Sequence, residues 1–302
     1  MKKVELKGII PPILTPMNAD ESVNEAELRR QVDRLVDAGV HGIFPFGTNG
    51  EAYALTPAEK ETVLKVVVEQ VDHRVPVYAG TGCVTTSETI AMSKMAEQAG
   101  ADVLSVITPW FAAASQGELY EHYRTVADAV DMPIVLYNIP ARTGNSLAPA
   151  TVARLARDAA NIVGAKDSSG SFDNMKQYIE RTGGLDKDFA VLSGNDSLIL
   201  PALVFGGKGG IAGCANVFPH TMVEIYEAFI AGDLDRAKKA QDSIRPFRDC
   251  FKYGNPNTIV KVSTGLLGYP VGPCRKPFSA LSAEGVEEIK KVLAQCADQG
   301  MC

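Results

Sequence analysis

A single lysine interrupts the apolar run Ile162-Val163-Gly164-Ala165-Lys166-Asp167, which closes on the small polar residues Ser168-Ser169-Gly170. Runs of this length bounded by turn residues read as buried strands, and lysine is almost never buried unless it is paired or chemically used. If Lys166 is not a frayed strand end with its ammonium in water, it is a candidate nucleophile. An amine attacks a carbonyl only when unprotonated, and removal from water disfavours the charged form of a group whose ordinary pKa is about 10.4. The chemistry is then imine formation. An imine needs a proton shuttle, and Tyr137, near the end of Ile134-Val135-Leu136-Tyr137-Asn138, has a hydroxyl able to serve a departing carbinolamine oxygen. It also needs a grip on the substrate. Thr48 and Asn49, in the glycine-flanked turn Gly47-Thr48-Asn49-Gly50-Glu51, offer backbone N–H groups and side-chain donors to a carboxylate, and the Thr48 hydroxyl is a candidate partner for Tyr137. The implied ligand is a small 2-oxo acid.

Plainer roles exist for each residue. Tyr137 reads equally as a core tyrosine with a satisfied hydroxyl, Arg142 as a surface ion-pair partner, Glu51 as a cap for nearby amides and Asp167 as structural. Which set of roles applies depends on the elements that carry them.

Those elements repeat. An apolar run followed by a helical pattern recurs eight times: Gly8 to Leu14, Gly42 to Gly47, Val75 to Thr81, Asp102 to Pro109, Ile134 to Pro140, the lysine run, Phe189 to Asp196 and Gly209 to Asn216. Helix signals follow the early ones, including a stop at Gly39, Thr56 as an N-cap before Pro57, and a helix from about Ser87 to Gln98. Eight such units about 20 to 35 residues apart, with near-continuous apolar strands, fit a (β/α)8 barrel better than a doubly wound sheet. No G-x-G-x-x-G follows the first strand, so the dinucleotide fingerprint is missing. After the eighth unit come helical patterns alone, about Pro219 to Ala231, Leu234 to Cys250, Thr258 to Gly268 and Ala283 to Cys296. The expected organisation is a barrel over residues 1–228 and a small C-terminal helical domain over 229–302.

Composition narrows the partners. A formal net charge of −6 and a pI near 5.4 argue against nucleic acid or an anionic membrane, both of which demand a basic face. No run approaches the roughly 20 apolar residues of a membrane span. Met1 to Gly8 reads as the lead-in to a strand, so a cytoplasmic protein is expected. The six cysteines (Cys83, Cys214, Cys250, Cys274, Cys296, Cys302) show no C-x-x-C spacing and suit reduced thiols, and the four histidines show no paired spacing, so no catalytic metal is expected.

Barrel enzymes react at the C-terminal ends of their strands. There the sequence places Thr48 and Asn49 after the second strand, Trp110 and Phe111 after the fourth, and Tyr137 on the fifth with Arg142 beyond it. Lys166 lies on the sixth and Ile211 on the eighth. Adjacent fifth and sixth strands bring Tyr137 and Lys166 to one interior. Lys166, Tyr137 and Thr48 form the candidate catalytic set, and Thr48, Asn49, Arg142 and Ile211 the candidate substrate-binding set.

Three segments, Gly47-Thr48-Asn49-Gly50-Glu51, Tyr137-Asn138-Ile139-Pro140-Ala141-Arg142-Thr143-Gly144 and Gly164-Ala165-Lys166-Asp167-Ser168-Ser169-Gly170, resemble the pyruvate-dependent class I aldolases and lyases that include dihydrodipicolinate synthase and N-acetylneuraminate lyase. The resemblance spans essentially the whole chain. It implies a Schiff base between Lys166 and pyruvate or another 2-oxo acid, Tyr137 as proton shuttle, the Thr48 and Asn49 amides on the carboxylate, an aldehyde as second substrate, no cofactor beyond the covalent imine, and a homotetramer.

The departures bear on the second substrate. Dihydrodipicolinate synthases typically have two threonines where this chain has Thr48 and Asn49, and a tyrosine reaching into the neighbouring subunit's site where it has Phe111. Phenylalanine cannot relay a proton. Asn49 resembles some aldolases of 4-hydroxy-2-oxo acids and 2-keto-3-deoxy sugar acids, whereas Arg142 resembles the synthase residue near the entrance for the second substrate's carboxylate. The expected activity is cleavage or synthesis of a C–C bond in such a sugar acid or 4-hydroxy-2-oxo acid. The alternatives are dihydrodipicolinate synthase, condensing pyruvate with aspartate semialdehyde, a related dehydratase, and a non-catalytic 2-oxo-acid sensor. Val84 stands where lysine-inhibited synthases have an asparagine, so no lysine feedback is expected.

Overall fold

A computed structural model describes residues 3–278 and 281–301. The first two residues of the expected lead-in and the expected free thiol of Cys302 lie outside the described residues. Seven strands are present among them: β1 (Gly8–Ile10), β2 (Tyr78–Gly80), β3 (Val103–Ile107), β4 (Ile134–Asn138), β5 (Ile162–Asp167), β6 (Ala190–Ser193) and β7 (Gly209–Ile211). The sheet order is β1-β7-β6-β5-β4-β3-β2, with parallel pairing from β2 through β7. Strands that follow one another in sequence order, with the first beside the last, have no switch point of the doubly wound kind. The fold is a (β/α)8 barrel with a C-terminal helical part.

The expected second strand, Gly42 to Gly47, is not regular. It runs alongside the first apolar run through His41 N–H to Ile9 O (2.8 Å), Phe44 N–H to Pro11 O (3.0 Å) and Ile13 N–H to Phe44 O (3.1 Å). Pro11, Pro12 and Pro45 supply no N–H to a ladder, and Phe46 turns away at φ 63°. The lysine run is therefore the fifth regular strand, not the sixth. Pro246 similarly divides the expected helix Leu234 to Cys250 into Leu234–Ser243 and Arg245–Asp249, because a helix-interior proline cannot donate to the preceding turn.

Packing divides the chain into two compact units, Met1–Gly8 with Pro76–Ile211 and Ile9–Val75 with Ala212–Cys302. The division expected at 228/229 separates strand-bearing from strandless sequence and is a different partition. In the first unit every residue of β4 is buried, as a strand covered on both faces requires. Its pairing with β5 contains a bulge: Ile134 is opposite Ile162, but Val135 is opposite Gly164, so Val163 is an extra residue on β5. Lys187 Nζ, donating at 2.8 Å to the carbonyls of Ala159 and Ile162, holds the turn into that strand.

The second unit contains helices Glu25–Asp37, Pro57–Val71, Pro219–Ile230, Pro256–Leu266 and Ala283–Asp298 among others. Pro57–Val71 starts as its sequence predicts, with Thr56 and Glu59 forming a reciprocal capping box. Among the described residues the cysteines are thiols, none in a disulfide. No helix among the described residues is long and apolar enough to cross a membrane.

Candidate active site

Lys166 is buried, 3% exposed, at the penultimate position of β5, and Tyr137, 4% exposed, is its register partner on β4. Residues directly opposite on paired strands share a face. The Lys166 Nζ accordingly sits 3.7 Å from the centroid of the Tyr137 ring. The lysine is no frayed end.

The backbone around this pair is pinned on successive strands. Thr108 N–H donates to Tyr137 O at 3.1 Å, Ser168 N–H to Asn138 O at 2.8 Å and Gly194 N–H to Asp167 O at 2.8 Å. At Gly194 the approach is so close that an added Cβ would lie 1.9 Å from Ser168 Oγ and 2.9 Å from Lys166 Cε. The Gly194 backbone thus forms part of the wall against the lysine chain, and a Cβ there would force the Ser168 and Lys166 side chains to move.

Thr48 and Asn49 belong to the second unit, in the turn after the irregular segment. That turn is held from beneath. Thr48 O accepts from Glu51 N–H (3.2 Å) and from Asn257 Nδ2 (2.6 Å), and Gly50 O accepts from Thr15 Oγ1 (2.7 Å). A Cβ on Gly50 would come within 2.9 Å of Ile13 O. Glu51, in the left-handed region at φ 55°, is fully buried. Its Oε1 lies 2.5 Å from the buried Lys261 Nζ and its Oε2 accepts from Arg275 N–H at 2.9 Å. The first contact is met by charge rather than by an aligned hydrogen bond. Lys261 also donates to Pro273 O at 2.9 Å, and Asn257 Nδ2 reaches Tyr53 Oη at 3.1 Å. Beside this cluster burial, with the Glu51 carboxylate adding to it, pushes the Cys274 thiol up to about 11.

The remaining candidates separate. Ile211 is buried at the end of β7, whereas Arg142 is exposed on the short helix Pro140–Thr143. Phe111 is 99% exposed at φ 78°. Its loop is held by one side chain: Asn145 Oδ1 accepts from Ala114 N–H (2.7 Å), while Nδ2 donates to Pro109 O (2.9 Å) and Ala112 O (2.8 Å). Sequence reasoning overlooked Asn145, Asn257, Lys261 and Gly194. Only Lys261 carried a signal, as a second lysine inside an apolar run, Ile259-Val260-Lys261-Val262.

A family model described as the Dihydrodipicolinate synthetase family matches residues 5–296. The 4-hydroxy-tetrahydrodipicolinate synthase of Methanopyrus kandleri is 41% identical over 291 residues, 96% of this chain and 94% of that protein. The 4-hydroxy-tetrahydrodipicolinate synthase of Methanoculleus marisnigri is 43% identical over 290 residues, 95% of this chain and 98% of that protein. Among solved structures, YagE, a prophage protein of the dihydrodipicolinic acid synthase family from E. coli K12 in complex with pyruvate, matches at TM-score 0.93 and 33% identity, over 98% of this chain and 99% of that one. With near-complete coverage by sequence and by structure, the chain belongs to the dihydrodipicolinate synthetase family, a family of class I pyruvate-dependent lyases.

Proposed function

We propose that the protein is a 4-hydroxy-tetrahydrodipicolinate synthase, condensing pyruvate with aspartate semialdehyde through an imine on Lys166. The observation that carries the imine chemistry is a buried amine held over the ring of a buried tyrosine, 3.7 Å from its centroid. Lys166 Nζ adds to the 2-oxo carbon, and the carbinolamine oxygen leaves as water after taking a proton from the Tyr137 hydroxyl. Loss of a C3 proton turns the imine into an enamine. The enamine carbon bonds to the aldehyde carbon of the second substrate, whose oxygen takes up a proton; the amino group of that substrate then adds to the imine carbon, closing the ring, and the C–N bond to Lys166 breaks to give back its amine. On the family's pattern Thr48 assists the shuttle, the Thr48 and Asn49 amides take the pyruvate carboxylate, Arg142 takes the second carboxylate and Ile211 supplies apolar surface. The scheme calls for no cofactor.

The names of the relatives, at 41% and 43% identity, support this reading over the sugar-acid lyase that the sequence alone favoured. Asn49 and Phe111 keep the lyase as the second reading, since neither matches the synthase pattern. Borohydride reduction with pyruvate, followed by peptide mapping, tests the imine: a folded protein without an adduct on Lys166 defeats both. Turnover then separates them. Aspartate semialdehyde is consumed if the synthase reading holds, a 2-keto-3-deoxy sugar acid is cleaved if the lyase reading holds, and a sensor turns over neither. The same proposal includes a cytoplasmic homotetramer, in which the 99% exposed Phe111 ring is apolar surface for a subunit contact to cover; a monomer in sedimentation analysis at working concentration refutes the assembly.

A further inference from the structure

One residue beyond the Tyr137 and Lys166 pair, β4 and β5 carry a second polar pair. Asn138 and Asp167 are register partners, 0% and 3% exposed. Side chains alternate along a strand, so these two lie on the face opposite Tyr137 and Lys166 and do not touch a substrate held there. Asn138 Nδ2 donates to Asp167 Oδ1 at 2.8 Å. The orientation of that amide is dictated by its surroundings. Its Oδ1 accepts from Leu147 N–H at 2.9 Å, and Leu147 O in turn accepts from the buried Tyr178 hydroxyl at 2.5 Å. Asp167 is equally committed: Oδ1 also takes Ser169 N–H at 3.2 Å, and Oδ2 takes Ser169 Oγ at 2.8 Å.

A buried polar pair of this kind is weak evidence for stability, because apolar side chains of similar volume often hold an interior as well or better. What it specifies is register, and register is at stake in this seam. Continued from Ile134 opposite Ile162 without the bulge, the pairing would set Tyr137 against Ala165 and Asn138 against Lys166. The lysine would then lie on the face away from the tyrosine, since a one-residue slip exchanges faces. The extra residue Val163 makes the productive register available, and the Asn138–Asp167 bond forms only in it.

We infer that Asn138 and Asp167 are positioning residues, whose cross-strand hydrogen bond locks β4 against β5 with Tyr137 opposite Lys166. The inference rests on the Schiff-base reading above. Three variants test it through the rate of borohydride trapping of pyruvate on Lys166, read across pyruvate concentrations, with circular dichroism as a check on folding. Asp167→Asn keeps Oδ1 as acceptor for Asn138 and Ser169 N–H while its Nδ2 turns to Ser169 Oγ, so its trapping stays within about threefold of wild type. Asn138→Asp sets two carboxylates face to face; its maximal trapping rate falls about tenfold or more with the half-saturating pyruvate unchanged. The double variant N138D/D167N restores an amide–carboxylate bond in reverse, gives up the Ser169 N–H contact, and recovers part of the rate. Wild-type trapping by N138D overturns the inference alone. A double variant no faster than N138D also overturns it, because the loss then does not come from the pair. A wild-type protein that forms no Lys166 adduct overturns the Schiff-base reading, and the inference with it.

Discussion

Replacing Lys261 with methionine exchanges a buried ammonium for an uncharged chain of similar length. In the native protein its Nζ lies 2.5 Å from Glu51 Oε1, with the two side chains 1% and 0% exposed. After substitution Glu51, 0% exposed, retains the Arg275 N–H at 2.9 Å and the weaker attraction of the Arg275 guanidinium but loses its contacting counter-ion. Removing one partner of a buried pair costs about 3 to 5 kcal/mol for this reason. With an unfolding entropy of about 2.1 cal/mol/K per residue, 302 residues lose roughly 5 to 8 °C of Tm for that cost. Glu51→Gln strands the ammonium instead and falls comparably. The double variant E51Q/K261M strands neither charge, and retains a loss of about 1 kcal/mol, near 2 °C, for the Pro273 carbonyl deprived of its donor. Calorimetric melts of the four proteins at neutral pH check the reasoning. If the double variant melts as low as K261M, the loss arises from packing and not from an uncompensated charge, and the electrostatic account is refuted.

Three further outcomes are expected. Gly194→Ala slows pyruvate trapping on Lys166 at least tenfold, because its Cβ meets Ser168 Oγ and Lys166 Cε; pairing it with Ser168→Ala returns part of the rate, and a G194A protein trapping normally contradicts the wall assigned to the Gly194 backbone. His122, bonded to Thr86 Oγ1 at 2.9 Å, has its pKa lowered by burial to about 4. The unfolded chain takes up that proton from about pH 6.5 downward and the folded one only near 4, so stability is complete above 6.5 and declines between 6.5 and 4 by at most about 3 kcal/mol. Melts of wild type and His122→Gln across that window should diverge, and parallel profiles would count against the assignment. Millimolar lysine leaves turnover unchanged, since the exposed Val84 has no side-chain amide to offer; a saturable inhibition curve disproves this.

Lys166 and Tyr137 were legible because both signals are local. A lysine in an apolar strand is conspicuous on composition alone, and the recurring strand-then-helix order places strand ends at one face. The missing regular strand had a local cause in Pro11, Pro12 and Pro45, which the sequence reading passed over in counting eight apolar runs. Asp167 passed as structural and Asn138 as part of a motif, because neither residue announces its partner across the seam. Lys261 stood out within its apolar run, but nothing local names its partner, Glu51, in the N-terminal part of the chain.

What the sequence by itself determined is the chemistry available: an amine, a phenol, a glycine-flanked donor turn, and the parallel order of elements that carries them. These follow from residue types and short-range periodicity. Only the tertiary structure decided which groups meet. The bulge at Val163 sets Tyr137 opposite Lys166, the Asn138–Asp167 bond belongs to that register, and Glu51 takes its charge partner from a C-terminal helix. Hydrogen-bond register and buried ion pairing are relations between distant segments, and no local pattern encodes them.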